Sequence, residues 1–253
     1  MIKVVLLGAG NLAYHLFRVF KASKDVEIIQ IFNHRKEKLA GFNNEVATTT
    51  LLSEIKEADF YLISVKDDAI IEVSSQLQAK NSIVLHTSGA VSMDILARHS
   101  NIGVFYPLQS FSKEKEVNFE QIPICIEANS EENLKKIREL ALQISASVYE
   151  ISSEQRRISH VAAVFANNFS NFMLSKASEI CEKHQIPFDI LKPLIEETFE
   201  KIKKVAPKEA QTGPARRNDK KTMAAHLAYL DQDQQKLYKT ISEAILKSYG
   251  KEL

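Results

Sequence analysis

Cysteine is scarce. Cys125 and Cys181 are the only two among 253 residues, they lie in unrelated segments, and no paired-cysteine spacing suggests a zinc or redox motif. An excess of one charge is also missing: 33 Lys and Arg stand against 32 Asp and Glu, a net of +1, which gives no global attraction to nucleic acid or to a lipid surface. Long apolar runs are absent too. No stretch approaches the roughly 18 residues that a membrane span needs, and MIKVVLLG opens on a strand-like run rather than on the charged and apolar regions of a leader. These absences set the expectation of a reduced, cytoplasmic protein that takes a small-molecule substrate and no metal, membrane or nucleic-acid partner.

What is present is an ordinary globular balance, 45% apolar and 26% charged, in a chain long enough for one large or two modest domains. Over the first part, short apolar runs alternate with helix-length amphipathic segments. KVVLLG, EIIQIF, DFYLISV, SIVLHT, IGVFYPL, IPICIE and ASVYEI read as strands. Such alternation implies strand-helix-strand units, and runs that are apolar throughout imply a sheet covered on both faces. Near residue 152 the strand signals stop, and helix-length segments at 153–184, 189–205 and 219–250 follow. The expected architecture is an α/β domain over 1–151, with a doubly wound, mostly parallel sheet of Rossmann type, and an all-α domain over 152–253.

Gly8-Ala9-Gly10-Asn11-Leu12-Ala13 lies between the first strand and the first helix, where a Gly-x-Gly-x-x-Gly/Ala pattern has a mechanical meaning. The first glycine turns the chain, the second admits a pyrophosphate close to the backbone, and the small sixth residue lets helix and strand pack. The helix N-terminus offers N–H groups to phosphate. Gly8, Gly10, Asn11 and Leu12 are therefore candidate cofactor contacts. The second strand ends in Asn33-His34-Arg35, without the acidic residue that suits the ribose hydroxyls of NAD. Asn33 does not repel a 2′-phosphate and Arg35 can clamp one, so NADP(H) is the expected cofactor, unless Arg35 merely opens a solvated helix.

Ligands of open parallel sheets bind beyond the carboxyl ends of the strands. That rule adds Ser64, Val65 and Lys66 after DFYLI, and Ser88 in the turn HTSGA. Asp67 and Asp68 read as the cap and first-turn acids of the helix that follows. His86 either meets substrate or nicotinamide, or satisfies strand-end backbone. In YPLQSF, Gln109 and Ser110 are candidate substrate contacts, with Phe111 placed to cover a ligand.

The stretch SHVAAVFANNFSNFM, residues 159–173, carries polar groups in an apolar helix. At about 100° per residue, His160, Asn167 and Asn171 fall within roughly 40° of one another. They form one stripe, leaving Val161, Phe165 and Phe172 to a core face. Unpartnered burial of such groups costs about 1–3 kcal/mol each, so the stripe is expected at a cleft between the domains. His160, Asn167 and His86 are the catalytic candidates and Asn171 a substrate contact. Further on, Arg216 and Arg217 follow the turn Gly213-Pro214, where a guanidinium can hold a carboxylate or phosphate or brace a dimer, and Asn218-Asp219 reads as the cap of the last long helix.

Taken together, GAGNLA, Asn33-His34-Arg35, HTSGA, YPLQSF, the Asn167-Asn168 pair and QTGPARRND with His226-Leu227 resemble a group of Rossmann-like NADP oxidoreductases with an uncharacterised helical C-terminal domain. That group is similar to pyrroline-5-carboxylate reductase and the 6-phosphogluconate dehydrogenase superfamily. The resemblance spans nearly the whole chain, and HTSGA, YPLQSF and TGPARRND are its specific motifs. It implies an NADP-binding fold and a homodimer formed through the helical domain. Likeness to pyrroline-5-carboxylate reductase also implies substrate contacts from Thr212 and Arg216. In related hydroxyacid dehydrogenases a catalytic lysine precedes the paired asparagine by three residues, where this chain has Val164. Two functions follow: an NADP-dependent oxidoreductase acting on a small anionic substrate, or an NADP-binding sensor without hydride transfer.

Overall fold

The computed structural model describes residues 1–250. Its contacts divide into two compact units, Met1–Ala163 and a second beginning at Val164.

The first unit holds an eight-stranded sheet. In chain order its elements are β1 (Ile2–Leu7), α1 (Asn11–Ala22), β2 (Val26–Phe32), α2 (Lys36–Leu39), β3 (Thr48–Thr49), β4 (Phe60–Ile63), α3 (Ile70–Gln76), β5 (Ile83–His86), β6 (Ile102–Pro107), β7 (Ile124–Ala128), α4 (Glu131–Leu142), β8 (Val148–Glu150) and α5 (Ser153–Ala163). The strand order is β3-β2-β1-β4-β5-β6-β7-β8, parallel except where β7 runs against β6. The seven strand-like runs all form strands. The eighth, β3, is a two-residue edge strand paired with Ile31 and Phe32, too short to leave a periodic signal.

Apolar runs form the central strands because each strand serves two cores. On β1, Val4 and Leu6 join one cluster with Leu16 and Phe20 of α1 and Ile137 and Leu140 of α4. Val5 and Leu7 point the other way, into a cluster with Ile70 and Val73 of α3. Alternate side chains leave opposite faces of a strand, so a run with no polar gap needs helices on both sides. That requirement makes the sheet doubly wound.

Helix α5 belongs to this unit, and one side chain explains why. Arg156 is fully buried. Its Nη1 pairs with the Glu127 carboxylate on β7, its Nε donates to Ser88 O at 3.2 Å, and Nη2 donates to Val91 O and to Ser153 Oγ. Glu127 in turn accepts from Ser153 N at 2.8 Å and from Ser153 Oγ at 2.7 Å. The start of α5 is thereby fixed to β7 and to the loop after β5.

The second unit begins with a π-helical stretch, Val164–Phe169, and continues through α6 (Ser170–Lys183), α7 (Lys192–Ile202), α8 (Pro207–Ala210), α9 (Pro214–Arg217), α10 (Lys220–Leu227) and α11 (Gln232–Ser248). The single helix expected over 219–250 is two, because Asp231 and Gln234 form a capping box that starts α11 afresh. Asp219 accepts from Thr222 N at 3.0 Å and so caps α10 rather than the last helix. Val161, Phe165 and Phe172, expected in a core, are 57%, 65% and 48% exposed. Bonding from i to i+5 widens the turn, so one 100° progression does not run unbroken from His160 to Asn171. The unit's own core is small: Ala215, Met223 and Leu246, with Tyr238 and Ile245 against them.

Removing one partner of a buried ion pair leaves the other charged and unpaired, at a cost of about 3–5 kcal/mol. Arg156→Met is expected to lower the free energy of the first urea-unfolding transition, followed by circular dichroism, by that amount. A loss below about 1 kcal/mol would place Arg156 among ordinary surface pairs.

Candidate functional site

A cleft of about 1000 Å³ runs along the carboxyl ends of the parallel strands. Its wall begins beyond β2 with Asn33, His34 and Arg35, passes Gly8 to Leu12 after β1 and Ser64 to Asp67 after β4, and reaches Thr87 and Ser88 after β5. All ten residues expected to contact the cofactor line this cleft.

Two features at its centre suit a phosphate. Gly8 has φ +129°, and a Cβ there would collide with the Ser64 carbonyl, so only glycine lets β1 turn this close to β4. Gly10 then precedes α1 with open space over its Cα. No side chain caps α1 and no acid occupies its first turn, which leaves its first N–H groups available to an anion. The cleft also carries Arg35, Lys38, Lys66 and Lys113 against Asp67 and Glu72. These residues fit a dinucleotide.

At the β2 end, Asn33 Oδ1 accepts from Arg35 N at 2.9 Å, an Asx-type turn that delivers the Arg35 side chain to the cleft. Its Nε lies 3.2 Å from His34 Nε2. Lys66, not Asp67, occupies the cap position of the short 3-10 turn Asp67–Ala69. Lys113, which sequence reading did not single out, lies over the Tyr14 ring at 5.5 Å.

At the β5 end the loop is pinned through the N–H, the carbonyl and the hydroxyl of Ser88. Its N–H donates to His86 Nδ1 at 3.2 Å, its carbonyl accepts from Arg156, and its Oγ accepts from Ala90 N and Val91 N, both at 3.1 Å. His86 is fully buried behind the loop. Because Nδ1 accepts, the neutral ring carries its proton on Nε2, and Nε2 makes no close hydrogen bond among the described residues. Burial first, then the Arg156 charge, pushes the imidazole down to about 4, with the Ser92 backbone offsetting part of the effect.

Beyond this loop, Tyr106 Oη and His160 Nδ1 lie 3.1 Å apart. Gly89 makes room for them: a Cβ there would come within 2.7 Å of His160 Nδ1 and of Tyr106 Cζ. Tyr106, Gly89 and Arg156 were missed by the sequence reading. A clue was available in Glu127, an acid inside the strand-like run IPICIE that requires a buried cation.

The remaining candidates are placed as follows. Gln109 and Ser110 are exposed, and Gln109 Oε1 accepts from Ser110 N at 2.9 Å. Phe111, expected over a ligand, instead stacks on Phe119 with centroids 5.7 Å apart, while its carbonyl accepts from Asn11 Nδ2 at 2.9 Å. In the second unit Asn167, Asn171 and Thr212 are exposed. Arg216 donates to the Gln211 carbonyl and lies over the Tyr249 ring at 5.2 Å.

His86 gives the site a pH signature. Its folded value lies below the ordinary 6.5, so above pH 6.5 both folded and unfolded rings are neutral, and between pH 6.5 and 4 only the unfolded chain gains the proton. Stability is therefore expected to fall by about 3 kcal/mol as pH drops through that window. Replacing His86 with Gln should flatten this slope in urea titrations across the range; an unchanged slope would show that His86 is not its source.

Two family models match the chain, and the second begins inside the first unit, just before β7, rather than at Val164. Residues 3–89 match a family model described as NADP oxidoreductase, coenzyme F420-dependent, and residues 122–245 match a domain of unknown function, DUF2520. Among curated proteins none matches the chain. A solved structure of a protein named a putative NADP oxidoreductase, from Bacteroides fragilis, is 37% identical over 96% of this chain and 97% of its own, with a TM-score of 0.88. A Thermotoga maritima protein is 20% identical over 98% of each chain, with a TM-score of 0.75. The 1-pyrroline-5-carboxylate reductase of Streptococcus pyogenes is 16% identical over 98% of this chain and 97% of its own, with a TM-score of 0.66. The last two show the shared fold. The match to the Bacteroides protein shows more: this chain belongs to its family, the Rossmann-type NADP(H)-binding oxidoreductases with a helical C-terminal region.

Proposed function

We propose that the protein uses NADPH to reduce a C=N or C=O bond of a small, anionic substrate held at the β5 end of the cleft. The observation that carries this reading is the order of groups along the cleft. Arg35 stands at one end, the uncapped start of α1 at the centre, and the rigid Ser88 loop with the Tyr106–His160 pair at the other. A 2′-phosphate suits the Arg35 end, a pyrophosphate suits α1, and the nicotinamide then falls beside Ser88. When bound, NADPH supplies the hydride; the chain supplies orientation and the proton. His160, with Nδ1 3.1 Å from Tyr106 Oη, is proposed as the source of that proton, and His86 to act by holding Ser88.

The helical unit enters the same proposal. Asn167, Asn171, Thr212 and Arg216 are proposed as substrate contacts on the residue pattern, and Gln109 and Ser110 on their place after β6. Dimerisation through this unit is supported by the large apolar side chains that it exposes, among them Phe165, Phe169, Ile190 and Leu194, more than a small monomeric core normally leaves in water. No helix among the described residues is long and apolar enough to cross a membrane. The sensor reading rests on one observation, Val164 at the place of the related enzymes' lysine.

The test is a pair of fluorescence titrations with NADPH and NADH, followed by a turnover screen of 2-oxoacids and cyclic imines. NADPH is expected to bind at least about tenfold more tightly, and Arg35→Ala to remove most of that preference. Equal affinity for NADH would contradict the assignment. Tight NADPH binding without turnover of any compound would favour the sensor, and sedimentation of the same preparation as a monomer would contradict the dimer.

A further inference from the structure

Tyr106 occupies a position that the proposed reaction needs filled. It lies near the carboxyl end of β6, which runs parallel to β5 with His86 opposite Val104. The carboxyl end of β5 carries Thr87 and Ser88, the last residues of the cleft wall. Gly89 follows Ser88 directly, and the absence of a side chain there is what lets the Tyr106 hydroxyl pack against the loop: a Cβ at 89 would lie only 2.9 Å from Oη. Tyr106 is half-buried, and its hydroxyl contacts His160 Nδ1 at 3.1 Å, with the two rings edge to face at 6.2 Å. A phenol oxygen both donates and accepts. With His160 Nδ1 as the donor, the Tyr106 O–H remains free to point at a ligand.

We propose that Tyr106, not His160, is the group that hands the proton to the reduced substrate, with His160 behind it as the positioning residue and proton source. The inference rests on the oxidoreductase reading above. When the substrate carbon is reduced, its heteroatom is left with the electron pair of the former double bond. The Tyr106 O–H bond breaks and a heteroatom–H bond forms. Tyr106 Oη then takes the proton that His160 Nδ1 donates to it, and the ring takes a replacement proton from solvent. One proton enters from solvent and one is delivered, so the tyrosine ends as it began.

The charged and titratable groups around Tyr106 agree with this role. Burial is the main influence and raises the hydroxyl above its ordinary value of 10; Cys125, opposite Tyr106 on β7, and Asp67 act in the same direction, and the Arg156 guanidinium opposes them. The hydroxyl thus keeps its proton at neutral pH until a substrate draws on it.

The direct test needs no substrate. Protein labelled with 13Cζ-tyrosine, with Tyr106→Phe identifying the resonance, is titrated with pH while loaded with NADPH and again with NADP+. The oxidised ring carries a positive charge, so a hydroxyl beside it is expected to ionise about one pH unit lower in the NADP+ form. The same Tyr106 titration in both loaded forms would overturn the proposal while leaving cofactor binding intact. If neither nucleotide binds, the oxidoreductase reading fails first and the proposal falls with it. For pyruvate or 2-methyl-1-pyrroline, whichever is reduced, Tyr106→Phe is expected to lower kcat at least about 100-fold with NADPH affinity unchanged. A kcat within a factor of three of the parent, read with that same compound, would also overturn it.

Discussion

The Arg156 guanidinium is the contact on which the arrangement of the site depends. It is a charge with no exposed surface, and a charge can stay in a core only where several acceptors replace water. Glu127, Ser88, Val91 and Ser153 do so. Those acceptors come from β7, from the loop after β5 and from the start of α5, so satisfying one side chain fixes three segments at once. Burial, and after it the same charge, keeps His86 neutral, and neutral His86 accepts from Ser88. The cleft's far end is therefore rigid before any ligand arrives, and His160, one turn along α5 from Arg156, is carried to Tyr106 by the same anchor.

The opposite end of the cleft follows from different physics. There the requirement is space and unsatisfied N–H groups, and glycine supplies both. Gly8 allows the tight approach of β1 to β4, and Gly10 leaves α1 without a cap or a covering side chain. Cations cluster where the sheet needs no packing, at Arg35 and Lys38 beyond β2. One end of the cleft thus offers cationic side chains and open backbone N–H groups, while the other presents a pinned loop.

Much of this was legible in the residues. Continuous apolar runs such as VVLL and FYLI can be buried only between two helical layers, and GAGNLA after such a run marks the end that suits a phosphate by local sterics alone. The cleft wall followed from the rule of strand carboxyl ends. The pairing of Tyr106 with His160 was not legible, because 54 residues separate them and only the anchoring of α5 brings them together. Nothing in SSEQRRISH separates Arg156 from Arg157; burial does, and burial is a tertiary fact. The helix 159–173 was misread for a related reason: its apolar side chains suggest a core, yet the π-helical turn and the small core of the second unit leave Phe165 and Phe172 exposed.

The central claim is that the Ser88–Gly89 loop marks the reactive end of a dinucleotide cleft. A crystal structure of the protein with NADP+ tests it most directly. The account predicts the 2′-phosphate against Arg35, the pyrophosphate over Gly10 at the start of α1, and the nicotinamide in contact with Ser88 and Gly89, its reactive face toward Tyr106. A nucleotide bound with its adenine at Ser88, or with its nicotinamide turned away from Tyr106, would contradict it.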